Sequence, residues 1–491
     1  MNRRNFLLNF SLWILYFIFG YRISNYDIKI GVLGGELSEN EKNIWADAKK
    51  DFGATGDGFT DDSIAIQNAL NSLTSGGTLF IPDGTYIISA KLIAPPNTTV
   101  RGAGINRTFI HWDTNNSTLN WMLEFSQNNS IQWSAVSDLT LNHKREERGL
   151  QDSQAYGGIH ACSRLMIERV RIHNTSGPGI TQGAIEDIKI RDCEIYDTGH
   201  HGIYFSSSDG TFIKNVEIRN NYIGSPGTLA AGRLLGAHLI KFRFDTSTHV
   251  LENISIKDNK MECGVNGEGI FISTTEITDN TDCLVSHLTI ANNMINYKKE
   301  VTTMTSGVYI GNNSKGKNVR ITNNLIYGSG IADSYGVRTL FSNFNLTDNV
   351  IIRQNKIDNC ETGVYASKAW VSENHIMFSK YGLIGNTGKA FNNFFESVTD
   401  GAIAIRQAIN FDIVENTINM QGVSTIGIEM GNSTNLIISR NKITGAVEGI
   451  KRSSKSLKGC IFSENIFILC VSNYVSFTDS ASRIKDNIFI P

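Results

Sequence analysis

The chain has 491 residues, a formal net charge of −2 and a pI near 6.6, and 19% of its residues are charged. Its 45 glycines and 6 prolines, with ample apolar residues, exclude a disordered chain, a coiled coil and a collagen. Near-neutral charge argues against bulk attraction to nucleic acid, so no nucleic-acid partner is predicted. The 7 cysteines are scattered without a Cys-x-x-Cys pair, which indicates small buried side chains rather than a disulfide framework or a zinc site.

Residues 1–25 are predicted to be a targeting segment. The pair Arg3-Arg4 precedes an apolar run over residues 6–20, which is shorter than the roughly 20 residues of a membrane span. The segment resembles a bacterial twin-arginine export signal, and it is either removed or kept as an anchor. We therefore expect a protein that is secreted or anchored to the outer face of the bacterial cell membrane, with no other membrane contact. Residues 26–46 are interpreted as a linker and residues 47–491 as one domain.

The domain opens with DFGATGDGFTDDSIAIQNAL at 51–70. Residues of the N-cap type precede apolar residues at helical spacing, which predicts a helix over 61–73 that Gly76 and Gly77 end. Two short strands over 78–81 and 85–88 are expected next, joined by Pro-Asp-Gly. The acidic residues in this opening are interpreted as turn and cap residues rather than catalysts: Asp57, Asp61 and Asp62.

From about Leu165 a repeat predicts the fold. Its signature is an asparagine with apolar residues five before, three before and two after, as at Asn221, Asn259 and Asn293. The same frame recurs at Asn324, Asn355, Asn416 and Asn441, and with smaller or unusual residues at Asn374, Asn465 and Asn487. Val170 and Cys193 take the asparagine place in two earlier turns. Two apolar residues two apart form a strand, the asparagine bends the chain in a left-handed turn, and stacked asparagine amides can bond from coil to coil.

Most repeats add a second strand that opens with glycine, as at Gly202, Gly269 and Gly307. A unit this short cannot close its own core, so neighbouring units must stack. The prediction is an all-β fold: a single-stranded, right-handed parallel β-helix of about a dozen coils, with the 61–73 helix capping its N-terminal end.

The opening at 51–70, followed by GGTLFIPDGTYIIS at 76–89 and RGAG at 101–104, resembles the pectate lyase superfamily. That group includes polygalacturonase-like proteins, alginate epimerases and phage tailspike depolymerases. With the repeats, the resemblance covers roughly residues 47–491 and implies a secreted protein with a polysaccharide substrate. The chain lacks the Asp-Pro-His-Glu run that is typical of alginate epimerases.

A second, local resemblance concerns residues 201–204 (HGIY) and 237–243 (AHLIKFR). They are similar to paired motifs of secreted bacterial β-helix proteins in which His-x-x-Lys-x-Arg recurs, although Phe242 stands where a small residue is usual. The asparagine spacing is also longest here, 38 residues from Asn221 to Asn259, so long loops can wall a groove. We expect the functional site between about residues 196 and 276.

The residues in this region suit a lyase that acts on a polyuronide. Lys241 or Arg243 could neutralise the carboxylate beside the proton that is removed. His201 or His238 could be the base, because histidine can be neutral near pH 7. Tyr204 is the nearest candidate for the acid. The competing interpretation is a solvated strand with surface histidines.

A hydrolase would instead need two carboxylates across the scissile bond. The candidates are Asp209, Asp245 and Glu268. A third hypothesis, from another class, is a non-catalytic carbohydrate-binding protein or a phage-type appendage.

Alignment of the glycine-led strands predicts one outward-facing column, which could stack sugar rings or merely shield the sheet. Its members are Tyr204, Phe271, Tyr309, Arg338 and Tyr365, and His200 and Asp245 are added as candidates for substrate binding. No cofactor is predicted. Calcium is left open, because corner Asp and Asn are plentiful but no spacing matches a calcium loop. No oligomeric state is predicted.

Overall fold

The computed structural model describes most of the domain. The described residues are 45–491 without 117, 119, 128–131, 151–155, 208–211, 225–236, 245–249, 265–266, 275–283, 299–305, 342–348, 387, 406–407, 422–424, 454–456 and 473–482. The predicted export segment, most of the predicted linker, Asp209 and Asp245 lie outside the described residues. Among the residues that are described, no helix is long and apolar enough to span a membrane.

One helix, Ser63–Asn71, stands near the start of the domain. Its buried side chains Ile66, Ala69 and Leu70 join the same core as the first strands. Asp62 makes no side-chain cap bond; its carboxylate accepts hydrogen bonds from the backbone N–H groups of Thr55 and Gly56. Asp57 and Asp61 stand at the two ends of the short strand Asp57–Asp61, and their carboxylates accept backbone N–H bonds from residues two or three positions on. The side-chain cap expected before the helix is absent at Asp62, and the capping role of the helix stays a prediction.

The other elements of the described part of the chain are parallel strands, nearly all in three long sheets, which we number in the order the chain meets them. Sheet 1 consists of Trp45–Asp47, Gly77–Ile81, Thr98–Gly102, the first halves of Ser134–Asn142 and Leu165–Thr175, Ile185–Arg191, Phe212–Arg219, Val250–Lys257, Leu284–Ala291, the second half of Ser306–Thr322, Val350–Arg353, Ala369–Ser372, Gly388–Phe391, Phe411–Val414, Ile437–Ser439, Ile461–Ser463 and Arg483–Lys485.

Sheet 2 follows after a sharp corner. It consists of Asp57–Asp61, Gly84–Ile88, Thr108–Trp112, the second halves of Ser134–Asn142 and Leu165–Thr175, Glu194–Thr198, Tyr222–Gly224, Lys260–Cys263, Met294–Tyr297, Leu325–Tyr327, Lys356–Asp358, His375–Met377, Phe394–Val398, Thr417–Met420, Lys442–Thr444, Ile466–Ile468 and Ile488–Ile490.

Sheet 3 completes each coil. It consists of Leu92–Ala94, Leu123–Phe125, Ile159–His160, Ile180–Gln182, Ile203–Ser206, Ile240–Phe244, Ile270–Thr274, the first half of Ser306–Thr322, Tyr335–Phe341, Thr362–Ala366, Tyr381–Gly385, Gly401–Ile405, Ile426–Met430 and Glu448–Arg452; Ser433–Thr434 and Leu457–Lys458 pair separately. Each strand pairs with its counterpart one coil away, which confirms the parallel β-helix, with more coils than the predicted dozen.

The asparagine ladder is present between sheets 1 and 2. In each rung the side-chain amide and the backbone N–H of one asparagine both donate to the Oδ1 of the next, as from Asn293 to Asn324 at 3.0 Å each. The same amide also donates to a backbone carbonyl, that of Ile256 for Asn293. The ladder begins where Cys193 donates its N–H to Asn221. It runs on through Asn259, Asn293, Asn324, Asn355, Asn374, Asn393, Asn416, Asn441, Asn465 and Asn487.

The left-handed residue at this corner is the one before the ladder asparagine, which corrects the prediction. Asn220 has φ 55°, Gln354 has φ 57° and Arg440 has φ 54°, whereas the ladder asparagines do not have positive φ. The corner residue points to solvent and can therefore vary. The ladder asparagine is conformationally ordinary and is required for its buried amide.

The glycines that open the sheet 3 strands are required by close approach between coils. A Cβ on Gly307 would lie 2.7 Å from the carbonyl oxygen of Gly336 and 2.6 Å from the side chain of Ile326. The corresponding glycines at 202, 269, 336 and 363 also have backbone of the next coil within 2.7 Å of the missing Cβ. These glycines bring the coils together at the edge where the candidate column begins.

Candidate functional site

The predicted column exists on the outward face of sheet 3. Successive strands pair Tyr204 with Lys241, Lys241 with Phe271, and Phe271 with Tyr309. Tyr309 then pairs with Arg338, and Arg338 with Tyr365. We call these six residues the aromatic–cation column. Lys241 is the member that the glycine alignment did not include.

Strand alternation positions these side chains. Ile203, Phe205 and Phe242 point inward and are fully buried, so their neighbours Tyr204 and Lys241 face outward. Phe242, which departs from the local resemblance, packs on Phe205 in the core with ring centroids 5.8 Å apart. The large Phe242 side chain therefore lies in the core and does not reach the outer face.

Each cation of the column lies among aromatic rings. The Lys241 ammonium is 5.6 Å from the ring centroid of Tyr204 and 5.4 Å from that of Phe271. The Arg338 guanidinium is 5.3 Å from the ring of Tyr309 and 5.8 Å from that of Tyr365. Such contacts hold a long side chain against the sheet, and the two cations stand three strand spacings apart, roughly 14 Å.

Arg243 occupies the next outward position of the same strand, between Ser206 and Ser273 of the neighbouring coils. It is half-buried, like Lys241. Both predicted cations therefore face outward side by side on one strand. This is the arrangement that the alternation of charged residues and phenylalanines indicated.

The histidines are buried, which overturns the interpretation as surface histidines. His201 is fully buried, and its Nδ1 accepts the backbone N–H of His238 at 2.9 Å. Burial lowers the pKa of His200 to about 3 and holds the pKa of His201 well below its usual range. The rings stack in sequence: His201 on His238 at 5.2 Å, and His238 on Phe271 at 4.3 Å.

His238 and Glu268 form a close pair. The Glu268 carboxylate Oε2 lies 2.6 Å from Nδ1 of His238, and the backbone N–H of Glu268 is directed at the same atom at 3.0 Å. The two contacts compete, because the carboxylate needs a proton on Nδ1 and the N–H needs its lone pair. The charge-assisted contact is the shorter and stronger of the two, so we assign the ring proton to Nδ1 and the acceptor site to Nε2. Burial lowers the pKa of His238, and the Glu268 carboxylate opposes that shift.

Glu268 is the one predicted hydrolase carboxylate whose position is described, because Asp209 and Asp245 lie outside the described residues. Within the described part of the chain, no group of three or more His, Cys, Asp or Glu side chains is placed to hold a metal ion. Calcium stays open.

The column continues upstream of Tyr204, beyond the residues that the glycine alignment predicted. Tyr204 pairs with Thr181, Thr181 with His160, and His160 with Glu124. His160 stacks on Trp121 at 5.2 Å. The signal was available, because Gly158-Ile159 and Gly179-Ile180 follow the same glycine-led rule as Gly202-Ile203.

Comparison with known proteins gives the class. A family model described as "Rhamnogalacturonase A/epimerase, pectate lyase-like" matches residues 45–261, and the three sheets continue without change beyond that range. Residues 45–261, less than half of the chain, therefore match the pectate lyase-like parallel β-helix superfamily.

Three proteins of known name match part of this chain in sequence. The chain is 30% identical over 192 residues to "Mannuronan C5-epimerase AlgE4" of Azotobacter vinelandii, which covers 36% of this chain and 35% of that protein. It is 30% identical over 191 residues to "Alginate lyase 7" of the same organism, covering 35% and 22%. It is 29% identical over 192 residues to "Pre-neck appendage protein" of Bacillus phage B103, covering 34% and 22%. The matches span about a third or less of each relative.

Proposed function

We propose that this chain is an exported lyase that cleaves an acidic, uronate-containing polysaccharide by β-elimination. The observation that carries the proposal is the position of Lys241, held between two aromatic rings on an outward column and next to a buried pair of His238 and Glu268. The superfamily supports action on a polysaccharide. The Arg3-Arg4 segment supports export.

Lys241 supplies the charge that this reaction requires. The proton at C5 of a uronate becomes removable when a cation neutralises the adjacent carboxylate, because the developing enolate then has lower charge. A lysine between rings keeps a fixed position and needs little reorganisation when the carboxylate arrives. Arg243, two residues further on the same face, is the second donor to that carboxylate.

His238 is the base in this proposal, and Tyr204 is the acid. The base takes the C5 proton, its electron pair forms the C4–C5 double bond, and the bond from C4 to the glycosidic oxygen breaks. Tyr204 gives its proton to the leaving oxygen. Glu268 keeps the Nδ1 proton of His238 in place, which leaves Nε2 to accept the C5 proton.

His201 is a positioning residue in this proposal, because it is fully buried and its Nδ1 is engaged by the backbone of His238. His200 retains 7% exposure at the edge of the site and is assigned to substrate contact together with Asp245. Downstream, the rings of Phe271, Tyr309 and Tyr365 provide faces on which sugar rings stack, and Arg338 provides a second carboxylate contact.

The partial likeness to a mannuronan C5-epimerase and to an alginate lyase supports an acidic polysaccharide as the substrate. The hydrolase that would use Glu268 with Asp209 or Asp245, and the non-catalytic appendage, are the alternatives that the test separates.

The test incubates the full chain with a panel of polyuronides while the ultraviolet absorbance of unsaturated uronate is followed. A rise that falls at least about 100-fold in Lys241→Met supports the proposal. Lys451→Met is the matched control, because Lys451 faces outward on the same sheet far from the site and pairs with Glu448. It is expected to keep full activity.

The other outcomes overturn the proposal in distinct ways. New reducing ends without absorbance indicate the hydrolase. Deuterium entering C5 from heavy water without cleavage indicates an epimerase. Retention of the polymer without any of the three changes indicates a binding protein.

A further inference from the structure

A groove lies on sheet 1, far along the chain from the aromatic–cation column. It has a volume of about 370 Å³ and is lined by Trp370, Lys389, Phe391, Asp412, Val414 and Glu415. That volume is within the range of about 300–1,000 Å³ in which small-molecule sites are found. The proposed lyase site uses none of these residues.

Strand register builds the groove across three coils. Trp370 pairs with Lys389, and Lys389 with Asp412, so the indole, the ammonium and the carboxylate follow one another at about 4.8 Å per step. Phe391 and Val414 pair alongside them. Trp370 is 37% exposed although it is a large apolar side chain at an outward position. The groove therefore offers the flat apolar face of the Trp370 indole, with the Lys389 ammonium as a hydrogen-bond donor one strand away and the Asp412 carboxylate as an acceptor two strands away.

The charges of the groove are arranged as pairs. Lys389 lies 3.1 Å from Asp412, and Arg440 lies 2.8 Å from Glu415 at the rim. Since each cation here already has a carboxylate beside it, the groove has no surplus positive charge for an acidic sugar.

We infer that the groove is a binding site for a neutral pyranose unit of a polysaccharide. The apolar C–H face of such a ring stacks on the Trp370 indole, and its hydroxyls donate to Asp412 or Glu415 and accept from Lys389. An apolar protein surface fits less well, because covering the ion pairs would remove them from water without new hydrogen bonds. The site would hold a neutral stretch of polymer on a different face from the one that carries Lys241.

The test is native affinity electrophoresis of the full chain in gels that contain a mixed-linkage β-glucan, a xylan, a galactomannan, a dextran, an alginate or a polygalacturonate. We expect at least one neutral polymer to retard the chain and Trp370→Ala to weaken that retardation at least tenfold. Trp370→Phe, which keeps an aromatic face, is expected to retain part of it. Trp133→Ala is the matched control, because Trp133 is 38% exposed and lies outside the groove.

Three results would overturn the inference: no retardation by any neutral polymer, equal retardation of Trp370→Ala and the unaltered chain, or an effect of Trp370→Ala confined to the acidic polymers. Circular dichroism of each variant excludes misfolding as the cause. Lys241→Met separates the two proposals, because it is expected to abolish the absorbance rise and to leave neutral-polymer retardation unchanged.

Discussion

Replacing Asn324 by alanine tests the ladder at its centre. The Asn324 side chain is 1% exposed; its amide donates to the carbonyl of Ile290 and to Oδ1 of Asn355, both at 3.0 Å. Its Oδ1 accepts the backbone N–H and the side-chain amide of Asn293. Alanine removes all four hydrogen bonds.

The loss in the free energy of unfolding depends on the buried polar groups that alanine leaves without these partners, and there are two of them. The amide of Asn293 keeps its bond to Ile256, and Oδ1 of Asn355 keeps the backbone N–H of residue 324. The backbone N–H of Asn293 and the carbonyl of Ile290 lose these partners in a buried corner. At about 1–3 kcal/mol for each such group, the expected loss is about 2–6 kcal/mol.

The assay combines the denaturant midpoint of the full chain with native-state hydrogen exchange. Each coil contacts only its neighbours, so faster exchange should be confined to the coils around residues 290–355 and absent near residue 450. Asn323→Gly is the control, because Asn323 is exposed and has φ 56°, which glycine adopts readily; its midpoint should change little. If Asn324→Ala behaved like this control, the ladder would not contribute the stability assigned to it.

Three further substitutions test the site and its scaffold. Glu268→Gln should lower kcat and shift the acid limb of the pH profile to lower pH. The reason is that loss of the carboxylate lowers the pKa of His238, and the base acts in its unprotonated form. An unshifted profile would contradict the role proposed for Glu268. Tyr309→Ala should raise KM with little change in kcat, as substrate titration would show, because the proposal assigns its ring to substrate binding alone. Gly307→Ala should lower the thermal midpoint strongly, because its Cβ would meet Gly336 at 2.7 Å; an unchanged midpoint would mean that the coils can separate there.

The fold could be predicted from the sequence because its stabilising contacts repeat. The five-three-two frame found most ladder positions, and it missed Asn393 because Gly388 stands at the apolar place five residues before. The frame could not show which residue is left-handed, since Asn220 and Asn221 are both asparagine and only backbone geometry separates them.

The sequence predicted which strand positions of the candidate site face outward, but it did not predict how deeply the histidines are buried. The alternation of apolar and other residues along each strand placed Tyr204 and Lys241 on the outer face, because the apolar neighbour on each side of them must point into the core. The burial of His201 depends on how its corner packs under the His238 corner, which is 37 residues away in sequence. The Trp370 groove was missed for a similar reason, since its walls come from three coils on a sheet where no motif drew attention.

Because the coils stack at a constant spacing, charged side chains in one outward column can stand only at whole multiples of that spacing from one another. Deleting one whole coil between Lys241 and Arg338 would shorten their separation from roughly 14 to roughly 10 Å, and inserting one would lengthen it to roughly 19 Å. Intermediate distances are inaccessible, because a partial coil would interrupt the asparagine ladder and turn outward side chains inward. Gain or loss of coils would therefore change the preferred spacing of anionic groups on a bound polymer in discrete steps, while single substitutions alter the strength of each contact and leave that spacing unchanged.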